Sequence, residues 1–281
     1  MRVPIVYTHI PKTGGSTLRD IVRRQYGAEH VFSIRAFTPE RLRREMKTFE
    51  VDPGRHAWKA ISGHAIVGAH QFVSDSYSYI TMVREPIDRV ISDYYYVCRT
   101  PDHDFYDPVV TEKYSLADYV ESGITIYARN LQTRMLSGLG REVPYDESPS
   151  SMLKKAKKNI DTYFSVIGLT ESFNQSVILM KHRLGWGIPV YKTRNKTRKR
   201  PKRDEVSQST REIIQEHNEL DIKLYEYASE RFQRQLSEER DGAFDRDLRY
   251  LRILNTMYAP SVRAYIHLRN AYNRLLGRDS W

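Results

Sequence analysis

The tightest constraint on the fold is the handover near the N-terminus. Val3 to His9 is a short β-branched and aromatic run closed by Pro11, the pattern of a buried strand. Gly14-Gly15-Ser16 then opens a helical stretch in which Leu18, Ile21 and Val22 fall at i, i+3 and i+4. A strand that passes through a glycine turn directly into a helix is an α/β unit, and the pattern recurs. Tyr77 to Val83 predicts a second strand, with Pro86 at the first position of a helix reaching about Val97. Phe164 to Leu169 predicts a third, with Thr170 as N-cap and Phe173, Val177 and Met180 along the helix that follows. Asn218 to Leu236 reads as a long amphipathic helix with Leu220, Leu224, Ala228 and Phe232 on one stripe.

This alternation predicts an α/β fold: a central, mostly parallel sheet flanked by helices on both faces. The 281 residues, 40% of them hydrophobic, suffice for one domain over 1–281 with a real core. Residues 240–281 read as a helical extension of two helices broken at Pro260. Thr100–Val110, Gly138–Ser151 and the basic run Lys192–Arg203 read as loops. Lys+Arg 45 against Asp+Glu 35 leaves a net charge of +10, which favours anionic partners. Cys98 is the one cysteine, so no intrachain disulfide forms. No run approaches the roughly eighteen apolar residues of a membrane span, and the N-terminal apolar run is too short for a signal-peptide core. The expectation is a cytoplasmic chain with no membrane span.

Two constellations carry chemistry. His9-Ile-Pro-Lys12-Thr13-Gly14-Gly15-Ser16-Thr17 lies where strand meets helix. Its glycines let the backbone approach a ligand, its N–H groups and helix N-terminus favour an anion, and Lys12, Ser16 and Thr17 add donors. The Walker order is absent, because the lysine precedes the glycines and no Ser/Thr follows it to hold Mg²⁺. The second is Arg84-Glu-Pro86-Ile-Asp-Arg89-Val-Ile-Ser92. Arg84 at a strand end can fork onto a phosphate and Ser92 can donate from the helix behind it. Arg89 is placed to pair with Glu85 on the helix surface.

Together these motifs resemble the sulfotransferases that use 3′-phosphoadenosine 5′-phosphosulfate (PAPS), in particular the carbohydrate branch of heparan sulfate and uronyl 2-O-sulfotransferases. Ser62-Gly-His64, Tyr94-Tyr-Tyr96, Arg129-Asn-x-Gln-Thr-Arg134, Val166-Ile-Gly-Leu-Thr-Glu171 and Leu220-Asp-x-x-Leu-Tyr225 extend the resemblance over roughly residues 3 to 236. It implies a P-loop-like sulfotransferase fold and in-line transfer of a sulfuryl group from PAPS to a hydroxyl without a metal, leaving PAP. Lys12 then stabilises the leaving group. Thr13, Gly14, Gly15, Ser16 and Thr17 cradle the 5′-phosphosulfate, and Arg84 and Ser92 hold the 3′-phosphate. His64 matches the base of the histidine-using branches, with His70 its nearest rival. Asn195, Thr197 and Arg200 fall in the basic loop that relatives close over the nucleotide. His70, Arg129 and Arg134 are candidates for the acceptor, which is expected to be a saccharide; the triad Arg129, Gln132 and Arg134 equally suits bracing the sheet. Golgi members usually carry a membrane anchor and paired cysteines; this chain shows neither, which points to a cytosolic, bacterial-type relative.

Three readings compete. A sulfotransferase, acting on a saccharide or on a small-molecule hydroxyl, accounts for both phosphate motifs. A P-loop nucleotide kinase shares the strand–loop–helix layout but lacks the Gly-Lys-Ser/Thr. A nucleic-acid binder built on the 192–203 run has no base-reading or stacking module, so no nucleic-acid partner is expected. A homo-oligomer is compatible with the C-terminal amphipathic stretch.

Overall fold

The computed structural model describes residues 2–52, 54, 57–73, 77–192 and 201–257. Every residue of β1 (Ile5–Thr8) is buried, because β1 is the middle strand of a five-stranded sheet. The others are β2 (Val31–Ala36), β3 (Ala60–Ala65), β4 (Ser78–Val83) and β5 (Phe164–Leu169), in the order β2-β3-β1-β4-β5. Every pairing is parallel, which sharpens the expectation of a mostly parallel sheet. Parallel strands all end on the same edge, so the turns after β1, β3, β4 and β5 meet there.

The helices are α1 (Gly15–Tyr26), α2 (Pro39–Val51), α3 (Pro86–Val97), α4 (Tyr106–Thr111), α5 (Leu116–Glu121), α6 (Leu131–Ser137), α7 (Ser150–Tyr163), α8 (Phe173–Leu184), α9 (Gln208–His217) and α10 (Glu219–Glu239). A further helix, α11, covers 242–257. The predicted stripe Leu220, Leu224, Ala228 and Phe232 of α10 is buried. Pro86 is the first residue of α3, as its missing N–H favours. Phe244, Leu248 and Leu251 of α11 are buried in the main core. The predicted break at Pro260 lies outside the described residues.

Several local expectations are corrected. β2, α2 and β3 fill residues 31–65, a stretch to which the sequence pattern assigns no element. β2 alternates buried and exposed residues, with Arg35 exposed, and β3 is interrupted by Gly63, so neither shows a continuous apolar run. Thr100–Val110 is not all loop: α4 and α5 build a second apolar cluster with α3 and α9, in which Val109 and Tyr119 are buried against Val90 and Ile91. Thr170 does not cap α8, whose N-cap is Ser172; its hydroxyl donates instead to the carbonyls of Thr13 (2.9 Å) and Val83 (3.0 Å).

Arg89 is not on the surface. It is fully buried, 3.9 Å from the equally buried carboxylate of Asp221, and donates to the Tyr127 carbonyl. Glu85 caps α3 by accepting the Asp88 N–H at 2.7 Å and faces Arg203 at 3.8 Å. Asp221, at the start of α10, also accepts the N–H groups of Gln132 and Thr133 and the Thr133 hydroxyl, so it holds the first turn of α6. Asn130 and Asn218 complete the knot: Asn218 accepts the Asn130 N–H and Asn130 accepts the Asp221 N–H, each at 3.0 Å.

Replacing Asp221 by Ala leaves Arg89 buried without its counter-charge and α6 without its cap. A broken buried pair costs about 3–5 kcal/mol. Denaturant unfolding of Asp221→Ala should show a loss of that order; an unchanged midpoint would mean that the knot contributes nothing to stability.

Candidate active site

A cavity of about 320 Å³ opens where β1 and β3 end, lined among others by His9, Lys12, Ser16, Arg35, His64 and Tyr96. The loop from His9 to Gly14 forms one side. Lys12 and Gly14 both take left-handed conformations, with φ of 68° and 78°. Glycine adopts this freely, whereas a lysine held there marks a backbone fixed by its surroundings. No side chain caps α1, so the first turn presents main-chain N–H groups at its N-terminus. The Thr13 hydroxyl is turned inward to the Ile10 carbonyl at 2.8 Å, so Thr13 offers a ligand its backbone and not its side chain. Thr17 is buried, and Ser16 is the loop hydroxyl that reaches the cavity.

Gly15 is demanded by His9. A Cβ on Gly15 would lie 1.8 Å from the His9 ring, which is buried and stacked on His64 with centroids 4.1 Å apart. Gly63 is demanded in the same way by the Ile34 carbonyl of the neighbouring strand, 1.8 Å from where a Cβ would stand. His64 follows it and directs Nδ1 at the His9 carbonyl, 2.9 Å away. A carbonyl can only accept, so Nδ1 carries the hydrogen and Nε2 keeps its lone pair. Burial lowers the His64 pKa to about 4, with smaller contributions from Arg19, Arg35 and Lys12; only the bond to His9 opposes it. Burial, followed by His64, Arg19 and Lys12, also pushes His9 well down. Both imidazoles are therefore neutral near pH 7.

Lys12 reaches over the Tyr96 ring, Nζ 3.7 Å from its centroid. Of the three tyrosines 94–96, Tyr96 is the one at the cavity, while Tyr94 and Tyr95 pack against the α3–α5 cluster. Arg84 stands at the end of β4 and donates to the Lys12 carbonyl at 3.1 Å, which ties the second motif to the first. Gln132 grips the Arg84 peptide from both sides, accepting its N–H and donating to its carbonyl at 2.9 Å each. Ser92 is buried on α3 two turns on.

Three candidates lie elsewhere. The guanidinium of Arg134 is fully buried and donates to six main-chain carbonyls, those of Arg129, Gly140, Val143, Pro144, Tyr145 and Glu147. Arg134 thus braces the 138–148 segment and has no reach to an acceptor. Arg129 donates to the Asp146 carbonyl at 3.0 Å and lies over Tyr145. His70 lines a different cavity. Asn195, Thr197 and Arg200 lie outside the described residues.

Sequence reasoning missed Arg35, Asp93, His103 and Tyr127, which also line the first cavity. Arg35 pairs in register with His64 across β2 and β3, so the two side chains stand side by side on one face. The period-2 alternation of Val31–Ala36 is the signal that would have found it. Asp93 accepts the Tyr119 hydroxyl at 2.9 Å and is nearly fully buried.

The model of the sulfotransferase family matches residues 2–228, and the chain belongs to that family. It is 28% identical over 198 residues to mouse heparan-sulfate 6-O-sulfotransferase 3, covering 59% of this chain and 41% of the relative. To chicken heparan-sulfate 6-O-sulfotransferase 2 it is 26% identical over 271 residues, covering 81% of this chain and 66% of the relative. The zebrafish enzyme of the latter name is 31% identical over 185 residues, 57% of this chain and 39% of that one. The chain therefore spans about two fifths of the first of these relatives. They are 6-O enzymes, which supports the carbohydrate sulfotransferases expected from the sequence but not the 2-O branch. A crystal structure of mouse sulfotransferase SULT7A1 complexed with PAP aligns with TM-score 0.40 and 14% identity, over 76% of this chain and 63% of that one.

The environment of His64 sets a pH signature. Its folded pKa of about 4 lies below the ordinary 6.5, so the unfolded chain binds the proton first as pH falls. The stability His64 contributes is present above about pH 6.5 and is lost as pH falls from there through about 4. Histidine NMR titration of the ligand-free protein should find the His64 ring neutral, with hydrogen on Nδ1, down to about pH 5; titration near 6.5 would contradict the buried geometry.

Proposed function

We propose that the chain transfers the sulfuryl group of PAPS to a hydroxyl of a saccharide, by in-line displacement without a metal. The observation that carries this reading is the convergence of a neutral imidazole acceptor, His64 Nε2, and the cation of Lys12 on one cavity at the carboxyl ends of β1 and β3. The main chain of Thr13 to Thr17 and the N-terminus of α1 receive the 5′-phosphosulfate, and Arg84 with Ser92 the 3′-phosphate. Oxygen of the acceptor attacks sulfur as its proton passes to His64 Nε2. The bond from sulfur to the bridging oxygen breaks, and PAP departs with its new charge beside Lys12.

Burial is the main cause of the lowered His64 pKa, and Lys12 adds a smaller part. A donor anion bound beside Lys12 offsets that part, which makes the imidazole a stronger base. The saccharide acceptor is supported by the heparan-sulfate sulfotransferases among the relatives. The kinase reading draws no support from the loop, whose lysine precedes its glycines.

Thermal unfolding with PAP, ADP, ATP with Mg²⁺, or 5′-AMP tests the donor. Saturation at about 100 times Kd adds roughly 2.7 kcal/mol, a shift of several degrees, and we expect it for PAP with EDTA present. A shift with ATP and Mg²⁺ and none with PAP would overturn the reading. His64→Ala should lower turnover by roughly 10²–10⁴-fold with PAP affinity nearly unchanged. Arg84→Ala should instead weaken PAP binding by about 1.5–3 kcal/mol, read by calorimetry.

A further inference from the structure

A second cavity, of about 510 Å³, shares no lining residue with the first. Ile66, Val67 and Gly68, which follow β3, line it together with residues of α2 and α7. Arg43, Lys155 and Lys158 line it, with Glu142 as the acidic residue among its lining. Lys155 and Lys158 stand three residues apart on α7, on one face of the helix, where like charges repel. Among the described residues, no ion pair or hydrogen bond engages the side chain of Arg43, Lys155 or Lys158. A helix that gathers cations at a concave surface, against their repulsion, is stabilised by an anion there.

His70 supplies a donor of fixed sense. Its own N–H donates to the Tyr79 hydroxyl at 2.8 Å, and the Gly68 N–H approaches the same oxygen at 3.4 Å. The Tyr79 hydroxyl therefore accepts from the main chain and turns its single hydrogen to His70 Nδ1, 3.4 Å away. With Nδ1 accepting, the hydrogen of a neutral His70 is on Nε2. Burial lowers the pKa of His70, which keeps it neutral near pH 7. The ring is held flat against Tyr163, centroids 3.9 Å apart and planes 18° from parallel. His64 and His70, six residues apart, thus face different groups at Nδ1, a carbonyl that can only accept and a phenol that can donate. His64 presents a lone pair to the first cavity, and His70 carries an N–H at the second.

We infer that the second cavity is an oxyanion-binding site for a sulfate or carboxylate group carried on a saccharide chain. Arg43, Lys155 and Lys158 supply the charge and His70 Nε2–H a directed donor. The saccharide part of this assignment rests on the saccharide acceptor proposed above; the site itself stands apart from the transfer reaction and is tested by binding alone.

The test uses the full chain, a heparin-derived hexasaccharide as probe, calorimetry for affinity and ¹⁵N-histidine NMR for the His70 ring. The free protein should show His70 with hydrogen on Nε2, and that resonance should move as the hexasaccharide is added. The triple variant Arg43→Ala, Lys155→Ala, Lys158→Ala should lose about tenfold or more in affinity, the least expected for a lost charged hydrogen bond. Removing Lys113, Lys223 and Arg249, an equal charge outside the cavity, should leave the affinity little changed. An unmoved His70 signal, or equal losses in the two triple variants, would overturn the assignment. Inorganic sulfate is the second probe: if it moves His70 as readily as the same concentration of saccharide sulfate groups, the site takes a free ion and the saccharide assignment fails. PAP binding, measured alongside, reports on the donor site independently.

Discussion

The buried carboxylate of Asp221 is the point on which the site's geometry hangs. It faces the fully buried Arg89 of α3 and satisfies the first N–H groups of α6, so one charge joins α3, α6 and α10. The chain of consequence runs outward from there. With α6 anchored, Gln132 can hold both the N–H and the carbonyl of Arg84; Arg84 then reaches the Lys12 carbonyl. A cation at a strand end would otherwise sweep a wide arc on its side chain. Here its main chain is fixed by one residue and its guanidinium ties it to the loop it serves. Thr170 closes the other side by donating to both Thr13 and Val83, so β1, β4 and β5 deliver their turns to one place.

Two glycines do complementary work at this edge. At Gly63 the missing side chain lets β3 approach the Ile34 carbonyl, and at Gly15 it makes room for the His9 ring. The second matters more for chemistry. His9 is the residue whose carbonyl fixes the His64 tautomer and whose ring stacks on it, so a bulkier residue at 15 would disturb the proposed base through its neighbour. The requirement for glycine in the loop before α1 is therefore twofold: backbone conformation at Gly14, with φ of 78°, and the placement of an imidazole at Gly15.

What the sequence made legible follows from how strongly each element is buried. β1, β4 and β5 are nearly continuous apolar runs, and all three were visible, as was the stripe of α10. β2 and β3 were not, since an edge strand with alternating exposure and a strand broken by glycine resemble loops in composition. The two motifs proposed to hold phosphate were legible because local spacing places their residues. Arg129, Gln132 and Arg134 were not, because the meaning of a polar residue on a short helix depends on what packs on it. Arg134 meets six carbonyls 5 to 13 residues away, brought round it by the fold of the following loop, and Gln132 meets the Arg84 peptide 48 residues away. Arg89 misled for the same reason: Glu85 at i−4 is the local answer, and the long-range partner Asp221 wins because both charges are buried.

The two histidines that composition could not tell apart are separated by what each Nδ1 meets. A peptide carbonyl opposite His64 forces a hydrogen onto Nδ1 and leaves Nε2 able to take a proton. A phenol that accepts from the main chain stands opposite His70 Nδ1, 3.4 Å away, and with Nδ1 accepting its hydrogen the neutral ring carries its own on Nε2. In that tautomer His70 has no lone pair at Nε2 with which to act as a base. The difference arises outside the imidazoles, in His9 and Tyr79, residues of the two adjacent strands β1 and β4 and their ends. The sheet that gathers the loops thus also sets the proton inventory of the two cavities.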